Sequence, residues 1–202
     1  MRITSEAELR QILPPPRETT KAKLLDHLDA QALEFLVASP FLLLSTVAAD
    51  GSVEVSPKGD EPGFVRVEDA RTVVVPDRAG NNLAFGLQNI LHNGRVGAIA
   101  LRPGTGETLR FSGQAEIHAD AALLQSLSAR GRPALLAIRI RIERAYFHCA
   151  KSVLRSGLWQ PGQWPAAQKI SFGRIIGGKT GADQAAQQQI DDFVDQAYRG
   201  PL

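Results

Sequence analysis

The chain of 202 residues is long enough to bury a core, and its 44% hydrophobic and 22% charged residues are those of an ordinary globular protein, which excludes a disordered one. A net charge of +2 spread over scattered Lys and Arg builds no surface for nucleic acid or lipid, and 6% aromatic residues are too few to stack a bound single strand. Cys149 is the only cysteine, so no intrachain disulfide forms, which fits a reducing cytoplasm.

In chain order, the start MRITSEAELRQIL reads as a capped amphipathic helix over Ser5–Leu13 and not as an export signal; Pro14-Pro15-Pro16 stops it. Two more helices are expected over Lys21–Leu28 and Asp29–Val37, with Asp29 capping the second. Phe41–Val47 is apolar enough for a buried strand, and Asp50-Gly51 turns it into a hairpin with Ser52–Pro57. Phe64–Val67 and Arg71–Val75 are expected to complete a four-stranded meander, the last strand halting at Pro76. A polar turn, Asp77 to Asn82, then leads into a helix on which Leu83, Leu87, Ile90 and Leu91 recur at helical spacing until Asn93-Gly94. Arg95–Leu101 and Thr108–Ile117 read as strands, the latter alternating Leu109, Phe111, Ala115 and Ile117 with polar residues. Asp120 caps a short helix over Ala121–Leu127, and Ala134–Phe147 is a long strand with Ile138, Ile140 and Ile142 on one face. Ala150–Leu158 reads as a helical turn and Asp183–Tyr198 as a polar helix whose stripe of Ile190, Phe193, Val194 and Ala197 needs a partner surface. Six to seven short, closely spaced strands with flanking helices favour a mainly β (α+β) antiparallel barrel over a parallel sheet. No apolar run approaches the ~20 residues that span a bilayer.

The turn before the Leu83 helix is the best candidate for a ligand site. Asn81 or Asn82 can cap the helix, Gly80 permits unusual backbone angles, and free N–H groups beside Arg78 make a seat for a phosphate; a capped helix with a surface Arg is the plain alternative. Ser56 and Lys58 add a hydroxyl and a second cation at a strand end. If neighbouring strands of the meander lie side by side, Lys58 and Arg78 converge on one anion. Lys151, Arg155 and Trp159 fall four apart on the presumed helical turn and share a face. That face could close over a flavin or an anionic substrate, or only cover the barrel end. Other motifs point to less. Gly173 to Thr180 satisfies the phosphate-loop pattern, but the 22 residues after it form one helix and leave no parallel sheet to support such a loop, so a solvated loop is expected. His148-Cys149 lacks further ligands at metal-binding spacing, and no Gly-x-Ser-x-Gly elbow for acyl transfer occurs.

The runs SPKGDEPGFVRV, PDRAGNN and NILHNGRVGAIALRPGTGETLRFSG, in that order between Phe41 and Ile117, resemble the FMN-binding split barrels related to pyridoxamine 5′-phosphate oxidase. A weaker echo of an uncharacterised subgroup spans Phe147–Ser152 and Leu154–Trp159. The resemblance implies that the strand and helix start carrying Ser56, Lys58, Asp77, Arg78, Asn81 and Asn82 hold the FMN phosphate. It also implies that the isoalloxazine edge meets strand backbone at Val75 and Pro76, and that Thr108 and Arg110 reach the flavin of a second subunit. The oxidases place consecutive basic residues in the first helical turn, where this chain has Leu83, Ala84 and Phe85. The expectation is therefore a cytoplasmic homodimer with shared FMN sites, an oxidoreductase for an unidentified small molecule. The other reading is a non-catalytic flavin- or haem-handling protein on the same barrel. Residues 1–202 are expected to form one domain, with a helical extension to residue 40, the barrel over 41–149 and a helical segment over 150–202.

Overall fold

The computed structural model describes residues 2–200 and divides the chain into two compact units, one ending at Trp159 and the other beginning at Gln160. In the first, α1 (Glu6–Ile12) starts at a capping box in which Ser5 and Glu8 satisfy each other's backbone N–H groups, and it buries no residue. After α2 (Glu18–Lys21) the chain turns at residues 22–23 and forms an isolated bridge at Leu25, so the helix expected through Leu28 does not form. Leu25 exchanges both backbone hydrogen bonds with Ala145, at 3.0 and 2.7 Å. That pairing satisfies strand backbone that would otherwise be buried without partners, and it outweighs local helix preference. α3 (Ala30–Val37) is capped by Asp29, which accepts from the Ala32 N–H at 2.8 Å, and it buries Ala32, Phe35 and Leu36.

Seven strands follow: β1 (Phe41–Val47), β2 (Val53–Gly59), β3 (Arg66–Asp69), β4 (Thr72–Asp77), β5 (Arg95–Leu101), β6 (Thr108–His118) and β7 (Leu136–His148). Among the described residues they form one antiparallel sheet in the order β2-β1-β5-β6-β7-β4-β3. This is the mainly β split barrel with flanking helices that the strand pattern implied, but the first four strands are not a meander. The hairpins β1–β2 and β3–β4 sit at opposite ends of the order, because β4 takes β7 as its second neighbour. β4 also continues through Pro76 to Asp77. Pro76 lies beyond the last β3 pair, Arg66 with Val74, so its missing N–H breaks no bond to that neighbour.

Alternation fills the interior with Leu42 and Leu44 of β1, Ala98 and Ala100 of β5, Leu109 and Phe111 of β6, and Ile138, Ile140 and Ile142 of β7, all buried. Phe35 of α3 meets Phe147 edge-on, with ring centroids 5.3 Å apart. The β6–β7 ladder slips by one residue between Ser112 and Gly113; a Cβ on Gly113 would lie 1.9 Å from the Arg141 carbonyl oxygen, so only glycine fits that bulge. α4 (Phe85–Asn93) covers the barrel beside β1 and β2, its buried Asn89 amide donating to Thr46 Oγ1 at 3.0 Å. α5 (Ala121–Ser126) precedes β7, and α6 (Lys151–Ser156) follows it.

In the second unit, Pro161–Gln163 forms one 3-10 turn, and α7 (Phe172–Thr180) and α8 (Gln184–Arg199) pack on each other. The run Gly173 to Thr180 is helical, not the expected loop. Gly173 lets α8 approach so closely that a Cβ there would lie 1.9 Å from the Gln187 carbonyl oxygen, so these glycines serve helix contact. On α8, Phe193 is 72% exposed, while Ile190 and Val194 are half-buried. No described helix is long and apolar enough to cross a membrane.

Candidate functional site

Register assigns β2 two faces. Ser56 and Lys58 pair with Leu44 and Leu42 and so share the inward face, while Val53, Val55 and Pro57 point outward. A charge that points inward from an edge strand blunts that edge against pairing, and here it also meets the far end of the sheet. Rolling of the sheet brings β2 up to the end of β4, where Lys58 Nζ makes an ion pair with Asp77 Oδ1; the two side chains are only 19% and 15% exposed. Ser56, Lys58, Asp77, Arg78, Asn81 and Asn82 thus line one cavity of about 360 Å³ over a floor of Leu44, Ile90 and Ile138. Four side chains at its rim, Val55, Leu83, Phe85 and Leu135, are each more than half exposed. The cavity therefore has polar and apolar lining in one place.

Both expected cations are present, and each already has a carboxylate. Arg78 donates through Nε to Asp60 Oδ2 at 3.0 Å and through Nη2 to the Leu127 carbonyl at 2.8 Å, while its Nη1 is buried without a partner. Asp60 follows Lys58 by two residues in sequence. That spacing was the signal for it, and sequence reading passed it over. The asparagines do not cap α4: Asn81 Oδ1 accepts from the Leu83 N–H at 3.1 Å, a local turn, and the cap position is Ala84. Asn82 and Ala84 adopt left-handed φ of 59° and 55°, uncommon for residues with a Cβ. With Ala84 at the cap, no side chain takes up the first N–H groups of α4, which remain available to a ligand.

The other expected contacts fall elsewhere. Val75 and Pro76 are buried side chains, and what they can offer is backbone on the side of β4 that β3 has left. Thr108 and Arg110 lie opposite His148 and Tyr146 at the far end of β7 from Leu136, which lines the cavity. β7 has 13 residues, about 40 Å of extended chain, so these two cannot serve the cavity of their own subunit. Lys151 and Arg155 are exposed on α6, but Gly157 ends that helix in the left-handed conformation before Trp159. The Trp159 indole instead donates to the Thr105 carbonyl at 2.7 Å, so the three do not share a face. Burial, then the nearby charges of Arg110 and Lys23, push the His148 imidazole below its ordinary pKa. Among the described residues no three His, Cys, Asp or Glu side chains gather as metal ligands do.

The sequence model of the family described as pyridoxamine 5′-phosphate oxidase matches residues 28–149, from the end of the N-terminal segment to the end of β7. The chain belongs to that family. Among solved structures it is similar to HupZ of Group A Streptococcus, with 22% identity and a TM-score of 0.47 over 59% of this chain and 94% of that one. It is also similar to an FMN-binding protein of Syntrophomonas wolfei, with 11% identity and a TM-score of 0.45 over 70% and 95%. General stress protein 26 of Bacillus anthracis gives 15% and 0.45 over 57% and 88%. No curated protein gives a match. Family membership rests on the match over residues 28–149 and not on these distant likenesses.

Proposed function

We propose that the cavity at the barrel split binds FMN and that the protein exchanges electrons between the flavin and a small molecule. The observation that carries this reading is the pairing, in one cavity, of uncapped α4 N–H groups and the cations Lys58 and Arg78 with an exposed apolar rim. A flavin nucleotide has the matching halves, an anionic phosphate and a flat ring system. The residues present fit it. Ser56, Lys58, Arg78, Asn81 and Asn82 would hold the phosphate, and the β4 backbone at Val75 and Pro76 would face the ring edge. Bound FMN supplies the redox chemistry, while the chain binds it, orients it and limits water around it.

We further infer a cytoplasmic homodimer with shared sites. The outward faces of β2, β1 and β5 carry Val53, Val55, Leu43 and Ile99, an apolar surface that continues to Thr108 and Arg110 of β6. A second copy placed there would bring its own Thr108 and Arg110 to a cavity they cannot reach within one subunit. Absorption of the purified protein near the visible flavin bands, followed by titration of the flavin-free form with FMN and with riboflavin, tests the binding. FMN should bind at least tenfold more tightly, about 1.4 kcal/mol. Equal affinity for the two removes the phosphate seat. Steady turnover with an added reductant and acceptor separates an enzyme from a binding protein.

A further inference from the structure

α4 brings its first backbone donors to the split, and a polar contact deep in the barrel wall sets their direction. The Gln88 N–H already reaches the Ala84 carbonyl at 2.9 Å, so the donors left over in the first turn are those of Phe85, Gly86 and Leu87. Gly86 faces the inward side of β1 and β2: a Cβ there would lie 3.6 Å from Thr46 Oγ1 and 3.8 Å from Ser56 Oγ. Asn89 follows Gly86 by three residues and shares that face, where its amide donates to Thr46 Oγ1 at 3.0 Å. Both partners are buried. The other anchors on this side of α4 are apolar, Leu87 and Ile90 packed into the core. Apolar contact has no preferred direction, whereas a hydrogen bond holds its two groups to a narrow range of distance and angle. A slip of α4 by one residue would carry its start about 1.5 Å along the axis, enough to take an aimed N–H out of bonding range. Exchanging a satisfied buried pair for apolar groups of the same shape is close to neutral for stability, so what the Asn89–Thr46 bond adds is direction.

We infer that Asn89 is a positioning residue: its bond to Thr46 fixes the rotation and register of α4 and so aims the N–H groups of Phe85, Gly86 and Leu87 at an anion beside Ser56. The identity of that anion, the FMN phosphate, rests on the proposed flavin site, whereas the aim of the donors rests on the α4–β1 contact alone. Asn89 thereby separates FMN from riboflavin without touching either, since riboflavin lacks the group at which the donors point.

The test follows the backbone amide signals of Phe85, Gly86 and Leu87 by NMR in labelled protein, titrated with FMN in one arm, inorganic phosphate in a second and riboflavin in a third. The three signals should shift saturably with FMN and with phosphate. Asn89→Leu and Thr46→Val each leave one buried group unpaired and should lower the urea midpoint, while the double variant removes both groups and should recover most of that loss. A positioning role predicts that the double variant, though stable again, still binds FMN about tenfold more weakly than the wild type, with riboflavin affinity changed by less than about twofold. Thr46→Ser keeps the acceptor and should keep the FMN affinity. Thr46→Val alone carries the same comparison where Asn89→Leu folds poorly. A double variant that regains stability and FMN preference together overturns the inference and leaves an ordinary buried pair. Wild-type amides that shift with neither FMN nor phosphate also overturn it. Amides that answer inorganic phosphate, and lose that answer in the double variant, in protein that takes up no FMN leave the positioning role standing and remove the flavin reading.

Discussion

Asp77 competes for Lys58 with any anion that enters the split, and that competition sets how tightly a phosphate is held. Replacing Lys58 by Ala should weaken FMN by about 1.5–3 kcal/mol, since it removes a charge-assisted bond and leaves the half-buried Asp77 carboxylate facing the phosphate. Asp77→Asn should tighten FMN severalfold by releasing Lys58 and removing a like charge. A weaker complex in that variant, measured by fluorescence titration, would show that Asp77 is needed to position Lys58. His148 carries a second prediction. Its pKa lies below the ordinary 6.5, so the unfolded chain takes up the proton more readily than the folded one. Its contribution to stability is complete above about pH 6.5 and is lost as pH falls towards the folded value. Arg110→Met should move the ring's NMR titration up towards 6.5, and a wild-type midpoint above 6.5 would contradict the assigned surroundings.

At the scale of elements, glycine decides two contacts, the β6–β7 bulge at Gly113 and the approach of α8 to α7 at Gly173. Gly113→Ala forces a methyl group into the Arg141 carbonyl at the β6–β7 bulge and should cost about 3 kcal/mol, read as a lower urea midpoint with unchanged slope. Lys179→Ala, by contrast, changes an exposed residue of α7 and should shift stability by less than about 0.5 kcal/mol with flavin content unchanged. Magnesium-dependent ATP binding lost in that variant would contradict the helical reading of Gly173 to Thr180. These elements also mark what was legible in advance. β1, β6, α3 and the end of α4 were readable because a continuous apolar run, alternation, an Asp cap and Asn93-Gly94 are local signals. Leu25 was not, since its conformation is fixed by Ala145, 120 residues away in sequence. The asparagine caps failed for a related reason: side-chain type permits a cap, but the left-handed turn at Asn82 and Ala84 decides where the helix begins. Lys58 and Arg78 line one cavity, brought there by the roll of the sheet and not by a meander. Their pairing with Asp77 and Asp60 follows from that roll, although the spacing of Lys58 and Asp60 already put Asp60 near the site.

For the whole molecule, a shared site predicts that quaternary state and flavin retention move together. Sedimentation of the holoprotein should give a dimer, and dilution that separates the subunits should release the flavin. A monomer that keeps one tightly bound FMN would detach Arg110 from the flavin site. The position of β7 has a further consequence, one of timing. It is the last strand in the chain, yet it lies between β6 and β4 and also receives Leu25, so it joins everything made before it. While the chain is being synthesised, β2-β1-β5-β6 and the β3–β4 hairpin must wait as separate pieces with apolar faces open to water. Closure of the barrel needs β7, which pairs with both pieces, and pairings this distant in sequence form slowly. A ribosome stalled before Leu136 would thus display two unfinished sheets instead of part of a barrel.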